Sequence, residues 1–233
     1  MAGLLAQVLI LCCLALVRGD QTKFCDLASC YGRPHTMCLF PSETPAASCG
    51  EMKGKGLTPE EKKAILERHN HWRARVASGK EMRGINGPQP AAKNLGSMTW
   101  NDEIAEYAQR WADQCSFQHD HCRNTAKMLV GQNIAFIGST AGWNNDNLVQ
   151  MVDNWYNEVE HFDRNKIRNF RVVYHPRALQ VYHYTQMVWA KSTMLGCGAS
   201  RYRKQGDRYY ITYLVCNYAP TGNFIGQPVY EIE

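Results

Sequence analysis

Cysteine usage constrains this chain more than any other feature. It holds 10 cysteines in 233 residues. Cys12 and Cys13 fall inside an apolar N-terminal run, Leu4 to Val17, interrupted only by Gln7. That run is too short for a comfortable membrane span and reads as a secretory signal peptide, although no Lys or Arg precedes it. Two cuts fit the small-residue rule, one after Ala15 and one after Gly19. The remaining cysteines are Cys25, Cys30, Cys38, Cys49, Cys115, Cys122, Cys197 and Cys216. An even set in a secreted chain predicts disulfides rather than thiols, and counting alone leaves about 105 pairings open. The chain has no N-x-Ser/Thr sequon, and its C-terminus is too polar for a lipid-anchor signal.

The net charge of +5 is spread without a block of like sign, which argues against a dedicated nucleic-acid binder. No second stretch is long and apolar enough to span a bilayer. The organisation expected is a signal over 1–15, a Cys-rich irregular extension over 16–56, and one main domain over 57–233. The extension carries four cysteines, three prolines and little periodicity. The main domain opens on Thr58-Pro59-Glu60-Glu61, a capping box with proline at the first helical position. Ile65, Leu66, His69, Trp72 and Val76 then share a face up to Gly79. A second helix is predicted from about Asn101, with Ile104, Ala108, Trp111 and Cys115 in its buried stripe. A third runs from about Asn147 to His161, with Leu148, Val152, Trp155, Val159 and Phe162 in step. The segments 183–190, 194–204 and 208–219 are rich in Tyr, Val, Ile and Thr and read as strands. Gln205-Gly206-Asp207 joins the last two as a hairpin. Helices first and strands last predict an α+β domain on an antiparallel sheet.

Two segments near the C-terminus carry a family resemblance. His183-Tyr184-Thr185-Gln186-Met187-Val188-Trp189 and Tyr213-Leu214-Val215-Cys216-Asn217-Tyr218-Ala219-Pro220-Thr221-Gly222-Asn223 resemble the two signatures of the CAP superfamily. Tyr182 stands where the family usually has Gly or a charged residue. Gly131-Gln132-Asn133-Ile134-Ala135 and Cys115-x-x-x-His119-Asp120-x-Cys122 resemble the antigen 5-like branch of arthropod venom and saliva. The resemblance implies a three-layer α-β-α sandwich. It also implies the pairs Cys25–Cys38, Cys30–Cys122, Cys49–Cys115 and Cys197–Cys216.

The resemblance further implies a cleft where His119, Gln132, Glu158 and His183 meet. Gln132 replaces the usual Glu, so one carboxylate is missing. His119, Glu158 and His183 remain as weak zinc candidates. The favoured reading is a hydrogen-bonded structural cluster without cofactor, in which the Gln132 amide donates to Glu158 and accepts from a histidine. Cys115, His119, His121 and Cys122 also have the look of a zinc cluster, but in a secreted chain the cysteines belong in disulfides. There is no G-x-S-x-G elbow, H-E-x-x-H helix or unpaired cysteine, so a binding protein is expected rather than an enzyme.

Two partners are considered. Arg18-Gly19-Asp20, at the edge of the signal, resembles the integrin-recognition tripeptide of adhesive proteins and of antagonists made by blood feeders. Its guanidinium and carboxylate could bridge an acidic pocket and a receptor-bound cation. It reaches the mature chain only if the signal is cut upstream, after Ala15. CAP proteins also include carriers of small lipids, and Trp72, Trp111 and Trp155 could line such a groove. The core is the favoured place for them. The protein is expected to act as a monomer.

Overall fold

The computed structural model describes residues 23–143, 147–171 and 181–233. Arg18, Gly19, Asp20 and both signal cuts lie outside the described residues.

The sheet begins inside the segment expected to be irregular. Strand β1 (Glu51–Lys55) pairs antiparallel with β4 (Met194–Arg203), Glu51 opposite Arg203 and Lys55 opposite Ser200. The main domain thus takes in residues before 57. The stretch from 23 to 50 does lack long elements. It holds a 3-10 turn at Ala28–Cys30, a one-turn helix α1 (Thr36–Leu39) and a second 3-10 turn at Ala47–Cys49. Cys25–Cys38 closes it on itself, while Cys30–Cys122 and Cys49–Cys115 fasten it to the domain. The fourth bond, Cys197–Cys216, joins directly opposed residues of β4 and β5 (Tyr210–Ala219). These are the pairs the resemblance implied.

The order of strands is β1-β4-β5-β3, with β3 at Gly131–Ser139 and a two-residue β2 (Thr99–Trp100) running parallel to the start of β4. β4 and β5 form the expected hairpin, with Gly206 at φ 77° in its turn. β3 escaped the sequence reading. Gly131, Asn133, Ala135 and Gly138 give it weak strand propensity, and its pairing with β5 along the whole length from Gly131–Tyr218 to Ser139–Tyr210 makes it a strand.

Helix α2 (Pro59–Ala77) starts on the capping box: Glu61 N–H donates to Thr58 Oγ1 at 3.2 Å and Thr58 N–H to Glu61 Oε2 at 2.8 Å. Its buried residues are Ile65, His69, Arg73 and Val76. Leu66 and Trp72, expected on that face, are only half-buried. Arg73 takes the interior place and donates to the carbonyls of Gly96, Met187 and Trp189. Helix α3 (Asp102–Ala112) is capped by Asn101 and buries Ile104, Ala108 and Trp111 as read. Helix α4 (Leu148–Asn157) is capped by Asn147 and tightens into a 3-10 turn at Glu158–His161.

The segment 183–190, expected as a strand, is instead a short helix, α5 (Tyr182–Met187). Tyr184, Thr185, Gln186 and Met187 are all buried, so no polar face shows a helical period. Its first N–H groups are satisfied from outside, by Glu158.

Helices cover both faces of the sheet. On one side Ile65, Val152, Trp155, Tyr184 and Trp189 pack on Leu195, Leu214 and Tyr218. On the other, Ala108 and Trp111 of α3 pack with Ile134, Tyr213 and Val215. Glycine allows this second approach. A Cβ on Gly198 would lie 2.3 Å from the Gln109 Cα, and one on Gly196 would lie 2.4 Å from the Ala105 nitrogen. The architecture is the α+β, three-layer α-β-α sandwich.

Candidate functional site

The cleft is assembled from four separate places in the chain. His119 and Asp120 come from the loop after α3, which Cys115 and Cys122 tie down at both ends. Gln132 sits near the start of β3. Glu158 opens the 3-10 turn after α4, and His183 lies in the first turn of α5.

The four residues form two pairs rather than one ring. In the first, His119 Nδ1 meets Gln132 Oε1 at 2.8 Å. An amide oxygen only accepts, so the imidazole carries its proton on Nδ1. The Gln132 amide nitrogen then donates to Asp120 Oδ1 and Asn217 Oδ1, each at 3.1 Å. It does not donate to Glu158, as the sequence reading had it. The two acceptors are closer because Gln132 and Asn217 are directly opposed on β3 and β5. Asp120 is itself buried and held by Thr36 Oγ1 and by Arg123. Asn217 donates onward to Ile104 O at 3.0 Å.

In the second pair, His183 Nδ1–H donates to Glu158 Oε1 at 2.6 Å. Glu158 Oε2 accepts from the backbone N–H of His183 at 3.0 Å and of Tyr184 at 3.2 Å. One carboxylate therefore orients the imidazole and caps α5, whose own N-cap residue, Val181, offers no side-chain acceptor. Trp155 stacks beside the His183 ring, centroids 6.0 Å apart.

Behind His183 runs a directed chain of hydrogen bonds. Asn133 Nδ2 donates to the His183 carbonyl at 3.1 Å and to Tyr218 Oη at 3.0 Å. Tyr218 Oη lies 2.9 Å from His69 Nε2, and His69 Nδ1 lies 2.8 Å from Ile65 O. The carbonyl requires a donor, so Nδ1 carries the proton and Tyr218 donates to Nε2. Burial pushes the His69 pKa down to about 4, so the ring is neutral at physiological pH.

His119 presents an edge to solvent, yet protein crowds the rest of it. Burial pushes its pKa below the ordinary value, the bond to Gln132 opposes this, and the positive charge of Arg123 adds to the lowering. Both Nδ1 atoms are committed, so Nε2 is the nitrogen each ring has left for another partner. Among the described residues no group of three or more His, Cys, Asp or Glu side chains is arranged to hold a metal ion. Glu158 spends its oxygens on His183 and on α5, and Gln132 brings no charge. Two imidazoles alone do not make the closed site of a structural zinc. Among the described residues neither imidazole is hydrogen-bonded to a hydroxyl or thiol. Cys115 and Cys122, the thiol half of the apparent zinc cluster, are both in disulfides.

Sequence reasoning missed Asp120 and Asn217 as members of the cluster. Both stand inside the motifs that carried the resemblance, next to His119 and two residues before Ala219, and that adjacency was their signal. Trp111 donates to Gln118 O and Trp155 to Ile134 O, both rings buried, and Trp72 stacks on Tyr156 at 4.0 Å.

Residues 66–218 match the model of the CAP, or cysteine-rich secretory protein, family. Venom allergen 3 of Solenopsis invicta is 49% identical over 218 residues, covering 91% of this chain and 90% of that protein. Venom allergen 5 of Rhynchium brunneum is 47% identical over 199 residues, 85% of each chain. Venom allergen 5.01 of Dolichovespula maculata is 45% identical and covers 98% of this chain and 97% of its own. Among solved structures, NaASP2 with Zn2+ aligns at a TM-score of 0.62 and 27% identity over 76% of this chain and 88% of its own. BmVAL-1 aligns at 0.64 and 26% over 78% and 87%. The family match over most of the chain and the identity to these relatives place the chain in the CAP family as an antigen 5-like protein.

Proposed function

We propose that the chain is a secreted, non-catalytic antigen 5-like protein that acts by occupying a receptor. Its recognition element would be Arg18-Gly19-Asp20 and its partner a platelet integrin of the host. The observation that favours binding over catalysis is the state of the cleft. Each imidazole is held by an amide or a carboxylate, and among the described residues neither is hydrogen-bonded to a hydroxyl or thiol. Secretion accords with four disulfides, which persist in oxidising compartments. Zn2+ accompanies the related fold of NaASP2. Here the cluster is proposed to be structural, with weak metal affinity.

The choice of integrin rests on the tripeptide. What supports it in the described residues is the clamp just downstream. Phe24 stacks on His35 at 5.0 Å and meets Tyr107 edge-on at 5.5 Å, and Cys25 is bonded to Cys38. Asp20 lies four positions before Phe24, so the tripeptide is close in sequence to a fixed residue. The reading requires signal cleavage after Ala15, which gives a mature chain from Leu16.

Mass spectrometry of the mature N-terminus, with platelet aggregation assays, tests it. A chain beginning at Leu16 is expected to compete with fibrinogen and to inhibit aggregation by every agonist, because receptor occupancy lies downstream of all of them. Arg18→Ala and Asp20→Ala should each abolish inhibition without moving the melting temperature. Inhibition by a chain that starts at Asp20 or later would remove the tripeptide from the mechanism. Inhibition confined to a lipid-mediated agonist and indifferent to Asp20→Ala would instead indicate a lipid scavenger.

A further inference from the structure

The end of the sheet opposite the cleft's chemistry carries an uncompensated positive charge. Lys53 lies on β1, Arg203 at the end of β4, and Lys204 and Arg208 in the hairpin turn. Glu51 and Asp207 are the acids of this neighbourhood. Among the described residues none of the four cations forms an ion pair with a carboxylate. Arg68, Arg83, Arg123 and Arg201, by contrast, each meet one.

Aromatic rings hold three of these cations in place. Lys53 Nζ sits 5.6 Å from the centroid of Trp143, Arg203 4.8 Å from Tyr210, and Arg208 5.0 Å from Tyr209. Trp143 and Tyr210 meet edge to face at 4.6 Å, so Lys53, Trp143, Tyr210 and Arg203 form one continuous pile. Neutral groups complete the fixation. Arg203 donates to Asp207 O at 2.9 Å and Tyr210 Oη at 3.1 Å, Arg208 to Tyr209 Oη at 2.9 Å, and Trp143 Nε1 to Ile211 O at 3.2 Å. A ring face orders a cation without cancelling its charge. The patch is therefore pre-organised and still positive, which lowers the ordering cost of binding an anion. A guanidinium has five donors, and Arg203 uses two of them here.

We propose that this surface binds a sulfated glycosaminoglycan, with Lys53, Arg203, Lys204 and Arg208 contacting sulfates. The rings argue against the other polyanions. A cation occupies one face of each of the three rings, which takes that face away from nucleobase stacking or insertion into a lipid interface. A sulfated polysaccharide needs neither.

The test is binding of a defined heparin oligosaccharide to the intact secreted protein by calorimetry, from about 50 mM NaCl upward. The variant Lys53→Ala/Arg203→Ala/Lys204→Ala/Arg208→Ala is expected to lose at least tenfold in affinity and to flatten the dependence of log K on log salt. The exposed pair Lys204→Ala/Arg208→Ala, which leaves the ring pile intact, should lose about threefold and keeps the test open if the larger variant misfolds. Trp143→Ala removes no charge and should still weaken binding, because Lys53 loses its seat. Removing Lys63, Lys80, Lys127 and Lys191 together should change affinity less than twofold. An equal loss in that control would reduce the effect to net charge and overturn the proposal. So would equal affinity for phosphatidylserine vesicles or single-stranded DNA, or no heparin binding by the unmodified protein.

Discussion

His119 and His183 carry the same ring into the same cleft and are held in opposite ways. His183 is anchored by a carboxylate that also closes the N-terminus of α5. His119 is anchored by a neutral amide whose donors go to Asp120 and Asn217. Behind His183 lies the buried chain through Asn133 and Tyr218 to His69, while His119 faces solvent. The comparison shows that one half of the cleft caps a helix through a carboxylate, while the other ties an exposed imidazole through a neutral amide to buried Asp120 and Asn217. Position in the cleft does not make the two histidines equivalent.

The largest expected effect is on the buried half. The neutral His69 ring contributes stability that is complete above 6.5 and is lost as pH falls toward about 4, because the unfolded chain takes the proton first. The loss is on the order of 3 kcal/mol at the acid end. Denaturant melts across this range should fall more steeply for the unmodified protein than for His69→Gln. Parallel curves would show that the chain behind His183 bears no such load.

Glu158→Ala comes next. It strands two backbone donors and the His183 ring, and should cost about 2–3 kcal/mol. Gln132→Ala should cost only about 1 kcal/mol, since water can reach His119 and Arg123 still holds Asp120. Equal losses in the two melts would break the asymmetry.

Gln132→Glu is expected to make the halves alike. A carboxylate on His119 Nδ1 raises the basicity of Nε2, and zinc affinity should rise at least tenfold from a starting value no tighter than about micromolar. Calorimetry showing stoichiometric nanomolar zinc in the unmodified protein would refute the structural assignment of the cluster. The smallest effect is on titration. In the same variant the His119 ring protons, followed by NMR, should titrate above the ordinary histidine value rather than below it.

Much of the fold was legible because local physics and global packing agree. The capping box at Thr58, the start of α3 near Asn101 and the stripes of α3 and α4 were read from short-range pattern and stand in the structure. The hairpin followed from its turn and from two runs of β-formers. Where the two levels diverge the reading failed. β3 is interrupted by Gly131, Asn133 and Gly138 and depends on β5, while α5 carries the β-formers Tyr182, Tyr184 and Thr185 and depends on a cap from Glu158. β1 lies among cysteines and turns and is made a strand by β4. Similarly, the residue types of the cleft were recognisable from motif, but their bonds were not. Gln132 turns to Asn217 because strand register sets it opposite, and to Asp120 because the loop fastened at Cys115 and Cys122 brings it near; both are properties of the assembled fold. The sequence by itself determined the cysteine count, the caps and the apolar periods, which depend on neighbours a few residues apart. The tertiary structure alone decided which carboxylate meets which histidine, and that cations at Lys53 and Arg203 share one aromatic pile, because those partners lie on different strands and loops and meet only when the sheet has formed.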